Sequence, residues 1–168
     1  MDTPEQPQLY LMTPPELELS SFPDVLARVL DAHDVACVRL ALRLDGVHLT
    51  DAARSVRHAR KTLGDDAIVG SFCNGSRHDG MAAGEAGADY VSFGPVNASL
   101  LDDGTHAEQD LFQWWSEVIE VPVVAEGGLN TDLIRALTPV TDFFGIGDEI
   151  WTSETPQQAL ADLIAAMK

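Results

Sequence analysis

Residues 87–104, GADYVSFGPVNASLLDDG, join an apolar strand-like run to the kind of loop that receives an anion. The run Tyr90-Val91-Ser92-Phe93 ends at Gly94-Pro95, and a glycine there lets the backbone approach a ligand closely. Ser99 follows in the same loop, but Asp102 and Asp103 come next, and no lysine or arginine appears before Arg135. Two more glycine clusters, Gly127-Gly128 and Gly145 with Gly147, end later apolar runs and could offer backbone N–H groups to a phosphate. Carboxylates crowd them: Glu126 precedes the pair, and Asp148-Glu149 follow Gly147. Such a cluster suits a metal site or acid–base chemistry, or is one part of a generally acidic surface. A carboxylate about 4 Å from a phosphate costs several kcal/mol in a partly buried site unless a metal intervenes.

Other reactive side chains gather at the end of a different run, AIVGSFC. Ser71 and Cys73 could face a substrate there, and Arg77 and His78 are the candidates for contacting an anion. Arg77 has the competing option of pairing with Asp79 or Glu85, and no activating base is fixed beside Cys73, which also suits a core position. His48, inside GVHL, either lines a site or is a core histidine with a hydrogen-bond partner.

These residues need a scaffold, and the pattern supplies one. Apolar runs at 9–13, 35–42, 45–51, 67–73, 90–96, 121–128 and 142–147 alternate with helical patterns at 22–33, 53–63, 79–87, 107–119, 131–139 and 155–167. Alternation of this kind predicts parallel α/β architecture, and near-continuous apolar strands predict a TIM-type (β/α) barrel or a doubly wound sheet. No glycine-rich dinucleotide fingerprint follows the first strand, where LYLMTPP has prolines instead, which favours the barrel. One stretch breaks the rhythm. VACVRLALRLDGVHLTD runs one strand into the next without the dozen or so residues that a parallel crossover needs. The barrel is therefore expected to be short by one helix–strand–helix segment between strands 2 and 4, a loss of about 45 residues between Leu42 and Leu44, or one and a half βα units.

Bulk properties narrow the partners. The 168 residues suit a single domain over 1–168, and 45% hydrophobic content marks a globular chain. With 27 acidic against 10 basic residues and a net charge of −17, neither nucleic acid nor an anionic membrane surface is an expected partner. Two cysteines, Cys37 and Cys73, make no disulfide framework, and the acidic, proline-rich start has no targeting pattern, so a cytoplasmic protein is expected. Four of the ten cations lie in RSVRHARK (54–61), read as a solvated helix face or a surface for a second copy. Trp114-Trp115 falls on a helix where one ring packs inward and the other is available to a homodimer interface.

LYLMT, DGVHL, IVGSFC, GADYVSFGPV, PVVAEGGL and TDFFGIGDEIW, in this order, resemble the successive strands of the thiamine phosphate synthase and thiazole tautomerase family. The resemblance implies a (β/α)₈ barrel that condenses a hydroxymethylpyrimidine pyrophosphate with a thiazole phosphate, with Mg²⁺ assisting departure of pyrophosphate. Within that frame the candidate substrate contacts are Ser71, Cys73, Gly94, Ser99, Gly127, Gly128, Gly145 and Gly147, and an active chain is expected to place polar chemistry at Arg77, His78 and Glu126, the last standing where the family has an apolar residue, with Asp51 as the candidate metal contact. The chain departs from the family pattern at several of these places. The strand-2 Gln-Leu-Arg reads Arg39-Leu40-Ala41, the second metal carboxylate aligns with Ala53, leaving Asp51 as the nearby substitute, and the phosphate-gripping lysine aligns with Asp102. Reduced or lost condensation is the implied consequence. A thiazole tautomerase or a non-catalytic small-ligand-binding homologue are the alternatives.

Overall fold

The computed structural model describes residues 6–13, 21–33, 35, 37–39, 46–97 and 106–168. Seven parallel strands, β1 (Gln8–Met12), β2 (Cys37–Arg39), β3 (Gly46–Leu49), β4 (Ile68–Phe72), β5 (Tyr90–Phe93), β6 (Val123–Glu126) and β7 (Phe143–Ile146), form one sheet in the order β2-β1-β7-β6-β5-β4-β3. The helices are α1 (Phe22–Ala32), α2 (Val56–Leu63), α3 (Arg77–Glu85), α4 (Gln109–Val118), α5 (Thr131–Leu137), α6 (Asp148–Trp151) and α7 (Pro156–Ala166), with a short 3₁₀ turn at Ala52–Arg54. Among the described residues β2 and β3 are the two free edges. The expected missing strand belongs between them, so the barrel stops one strand short of closure. Residues 40–45, which join these strands, and Ser99, Asp102 and Asp103 lie outside the described residues.

Curvature is legible in side-chain contacts. In a flat sheet β1 and β5, three strands apart, would be about 14 Å distant at the usual strand spacing. Yet the Tyr10 and Tyr90 rings lie 6.0 Å apart, with their hydroxyls 3.2 Å from each other. His48 on β3 stacks on the Tyr90 ring, and its Nδ1 is 2.9 Å from the Tyr90 hydroxyl. The sheet therefore curls around an interior that holds a His–Tyr–Tyr chain. Register assigns the inward rows: His48, Gly70 and Tyr90 form one, Phe72, Ser92, Val124 and Phe143 a second, and Gly94, Glu126, Gly145 and Tyr10 a third. Alternate residues point outward into the helical layer, where Phe93 packs edge-on against Phe112 and Trp115, and Val91, Phe144 and Ile146 are fully buried.

The N-terminal edge of the sheet is pinned by a repeated device. Asp89, just before β5, accepts from the Val69 amide of the neighbouring strand, and Asp142, just before β7, accepts from the Val123 amide in the same way. Arg60 adds an ion pair to Asp89 and donates to the Ala67 and Gly87 carbonyls, so α2 is tied to the starts of β4 and β5. Part of the basic segment 54–61 thus has a structural task. Helix α3 begins two residues earlier than expected because Ser76 caps it, its hydroxyl accepting from the Asp79 amide.

Gly70 is the residue that admits the aromatic chain. A Cβ there would lie 2.1 Å from Tyr90 Cζ, inside the ring. Replacing Gly70 by Val is expected to destabilise the chain by about 1–3 kcal/mol, read as a lowered urea midpoint with unchanged slope. An unchanged midpoint would mean that Tyr90 does not occupy the interior.

Candidate functional site

In a sheet of parallel strands all C-terminal ends meet at one mouth, and loop residues after those ends reach it. Three loops build the mouth. After β5, Gly94 donates its N–H to the Asn74 carbonyl, Val96 donates to the Glu126 and Gly127 carbonyls, and Asn97 donates to Gly127 through its backbone and to Gly128 through its side chain. The loops after β5 and β6 are thereby zipped together. Gly127 and Gly128 hold φ of +85° and +78°, and a Cβ on Gly127 would lie 2.8 Å from Pro95 Cα. With their carbonyls turned toward the β5 loop, these glycines aim the amides of Gly128 and Leu129 toward the loop after β7.

Those amides are already engaged. The Glu149 carboxylate accepts from the Gly128 amide at 2.8 Å and the Leu129 amide at 3.1 Å through Oε1, and from the Gly147 amide at 2.7 Å through Oε2. One carboxylate satisfies three backbone donors from two loops. The positive end that the glycine-rich loops offer is matched from within the chain, and the question of charge posed by the sequence is answered by an internal anion.

The remaining candidates separate. Glu126 occupies the inward row between two glycines: a Cβ on Gly94 would come within 3.1 Å of Glu126 Cγ, and one on Gly145 within 3.0 Å of its Cβ. Gly94 and Gly145 thus let the Glu126 backbone and side-chain stem pack closely between them rather than offering amides, since the Gly94 N–H is bound to Asn74 and Gly145 lies within β7. Gly128 and Gly147 do present amides. Ser92, two residues before Gly94 on the same inward face, is fully buried, and its hydroxyl has no hydrogen-bond partner.

Ser71 and Cys73 sit on the opposite side of β4 from Gly70, in the helix-covered layer. The Ser71 hydroxyl donates to the Ala52 carbonyl at 2.8 Å, and Cys73 is wholly buried among apolar neighbours. Burial pushes the Cys73 thiol up to about 11, with a smaller opposing effect from Ser71. Arg77 lies on the first turn of α3 rather than in a strand-end loop. It pairs with Asp110 on α4 at 3.6 Å and stacks 5.0 Å over the Trp114 ring, so its partner is neither Asp79 nor Glu85. His78 is exposed on the same turn. Neither joins the mouth in the described arrangement. Trp115 is buried and donates to the Val121 carbonyl, while Trp114 is half-buried beneath Arg77.

Asp51 follows β3 at the mouth. Its Oδ2 accepts from the Ser55 hydroxyl at 2.6 Å, and its Oδ1 is buried without a partner. Among the described residues no group of three His, Cys, Asp or Glu side chains is placed to hold a metal. Asp51 Oδ1 is one carboxylate oxygen available to a cation, which fits Mg²⁺ as it is commonly held, by one or two carboxylates together with substrate phosphates. Arg54, on the turn that follows, is exposed. Sequence reasoning did not single out a cavity of about 340 Å³ between the start of α1 and the α6–α7 connection, lined by Phe22, Arg28, Trp151 and Pro156 among others. Trp151, whose indole donates to the Met12 carbonyl at 2.5 Å, ties α6 and so Glu149 to the end of β1.

A curled, all-parallel sheet with its polar loops at the strand C-termini and an amide cup after the last two strands defines a TIM-type (β/α)-barrel protein, incomplete by one strand. The sequence profile of the thiamine monophosphate synthase family matches residues 9–141, and the chain belongs to that family. It is 34% identical to a thiamine-phosphate synthase of Rhodospirillum centenum, covering 96% of this chain and 98% of the relative, and 41% identical to one of Erythrobacter litoralis, covering 89% and 76%. The first alignment spans 202 positions, whereas 96% of 168 residues is about 161, so about 40 positions of that relative face gaps. That shortfall matches the absent helix–strand–helix segment in size. Among solved structures, a thiamine phosphate pyrophosphorylase from Pyrococcus furiosus superposes with a TM-score of 0.77 at 19% identity over 95% of both chains. A 3-hexulose-6-phosphate synthase gives 0.69 at 14% identity over 96% of this chain and all of the other, a likeness of fold alone. No helix among the described residues is long and apolar enough to cross a membrane.

Cys73 supplies a direct check on the layering. Its thiol stays neutral at pH 8, so alkylation mapped to Cys73 is expected to run at least about tenfold slower than for free cysteine. Because the folded value lies above the ordinary 9.0, the stability this thiol contributes is intact below pH 9 and is lost as pH rises toward 11. Fast labelling of native protein at pH 8 would place Cys73 at an open site instead.

Proposed function

We propose that this chain acts in thiamine biosynthesis as a condensing enzyme, joining a hydroxymethylpyrimidine pyrophosphate to the ring nitrogen of a thiazole. The observation that carries this reading is membership of the thiamine monophosphate synthase family across residues 9–141, with the mouth of the barrel formed at the strand ends where that fold places its chemistry. In the proposed reaction the bond from the pyrimidine methylene to the pyrophosphate oxygen breaks, the methylene bonds to the thiazole nitrogen, and pyrophosphate leaves with the electron pair. Mg²⁺, held by Asp51 and the pyrophosphate itself, would supply neutralisation of the leaving group.

The chain's own residues have narrower tasks. Asp51 would offer its unpartnered Oδ1 to the cation, while Ser55 fixes its other oxygen. Glu126, flanked by glycines in the innermost row of the mouth, faces the cationic pyrimidine methylene as it develops charge. The loops after β5 and β6, zipped through Val96 and Asn97, form one wall of the site. A second reading, proton transfer on a thiazole by Glu126, is favoured by the same central carboxylate.

Incubation of the purified protein with the pyrimidine pyrophosphate, a thiazole and Mg²⁺ is expected to release pyrophosphate and form the coupled product. Asp51→Asn should lower that turnover at least about tenfold and weaken its dependence on Mg²⁺. Absence of coupled product, together with solvent-deuterium incorporation into a thiazole carboxylate phosphate, would replace this reading with the second.

A further inference from the structure

We propose that Glu149 is a built-in replacement for a ligand's phosphate group, so that the substrate end meeting this cup is uncharged: an alcohol rather than its phosphate monoester. The inference rests on the reading of the mouth as a site for thiazole condensation, and it names the substrate class that the mouth accepts. Three amides from two separate loops converge on two oxygens of a single carboxylate, at 2.7–3.1 Å. Two oxygens of a phosphate would meet those donors in the same way, since phosphate and carboxylate both take charge-assisted bonds from backbone N–H groups.

The occupant cannot be shared. The Gly128, Leu129 and Gly147 amides are all taken, and a phosphate arriving beside Glu149 would do without them and meet a like charge at contact distance. Nor is Glu149 a dangling side chain. It lies two residues after Gly147 on a four-residue helix whose Trp151 is anchored to the Met12 carbonyl and stacked edge-on against Phe22 at 5.2 Å.

Amide ¹H–¹⁵N NMR reads the cup directly. Titration of the wild-type chain with inorganic phosphate to tens of millimolar is expected to leave the Gly128, Leu129 and Gly147 resonances unmoved. In Glu149→Ala the same three resonances should shift together and saturate, with affinity at least about tenfold tighter than any wild-type response. Asp148→Ala, which removes the exposed neighbouring carboxylate, should behave as wild type. Saturable shifts of the three amides in the wild-type chain would overturn the proposal, and so would a folded Glu149→Ala or Glu149→Ser in which phosphate moves none of them. Should neither variant fold, the wild-type titration alone decides. Because this readout needs no turnover, its failure is distinct from failure of the condensation assay.

Discussion

A carboxylate held by three backbone amides is the contact around which the mouth of this barrel is organised. Backbone N–H groups at the ends of parallel strands are unpaired donors, and a buried donor without a partner costs about 1–3 kcal/mol. In many barrels a ligand phosphate meets that need. Here Glu149 meets it, and the consequences spread outward. The loop after β7 is drawn toward the loop after β6, the positive φ of Gly127 and Gly128 becomes necessary, and the donor set that would attract a doubly charged group is neutralised before any ligand arrives. With an effective dielectric of about 20, each pair of like unit charges 4 Å apart costs about 4 kcal/mol, enough to decide between an alcohol and its phosphate.

The interior is built by the same economy of small residues. Gly70 admits the Tyr90 ring, and Gly94 and Gly145 flank Glu126. At Gly70 and Gly145 a bulky polar side chain on one strand is accommodated by a glycine in register on its neighbour, and Gly94 admits the Glu126 carbonyl. The His48–Tyr90–Tyr10 chain then crosses the curled sheet beneath the mouth, satisfying polar groups that would otherwise be costly in a barrel lumen. An incomplete barrel can keep its curvature this way, since contacts across the lumen do part of what a closing strand would do.

Much of the fold was readable from periodicity, because buried parallel strands and their covering helices leave a strong alternating signal. The shortfall between β2 and β3 was readable too, since a parallel crossover has a minimum length that residues 40–45 do not meet. The acidic character of the mouth was likewise visible in Glu126, Asp148 and Glu149. What the sequence hid was geometry. Arg77 was expected near an anion because it follows a strand, but the Ser76 cap starts α3 at once and turns Arg77 outward to Asp110 and Trp114. Ser71 and Cys73 fell on the wrong side of β4 because strand alternation sets the face, and only Gly70 beneath Tyr90 reveals which face is inward. Asp148-Glu149 stood out as acids beside the Gly127-Gly128 and Gly147 amides, but residue types alone do not say that Glu149, and not Asp148 or Glu126, is the one on which three amides converge.

The most direct measurement compares condensation of the pyrimidine pyrophosphate with a hydroxyalkyl thiazole and with the phosphate ester of the same alcohol, as kcat/KM under one set of conditions. A cup filled by Glu149 predicts that the alcohol is the better substrate, by about tenfold or more. A kcat/KM for the phosphate ester equal to or above that of the alcohol would show that the amides are free to take it, and would contradict the account.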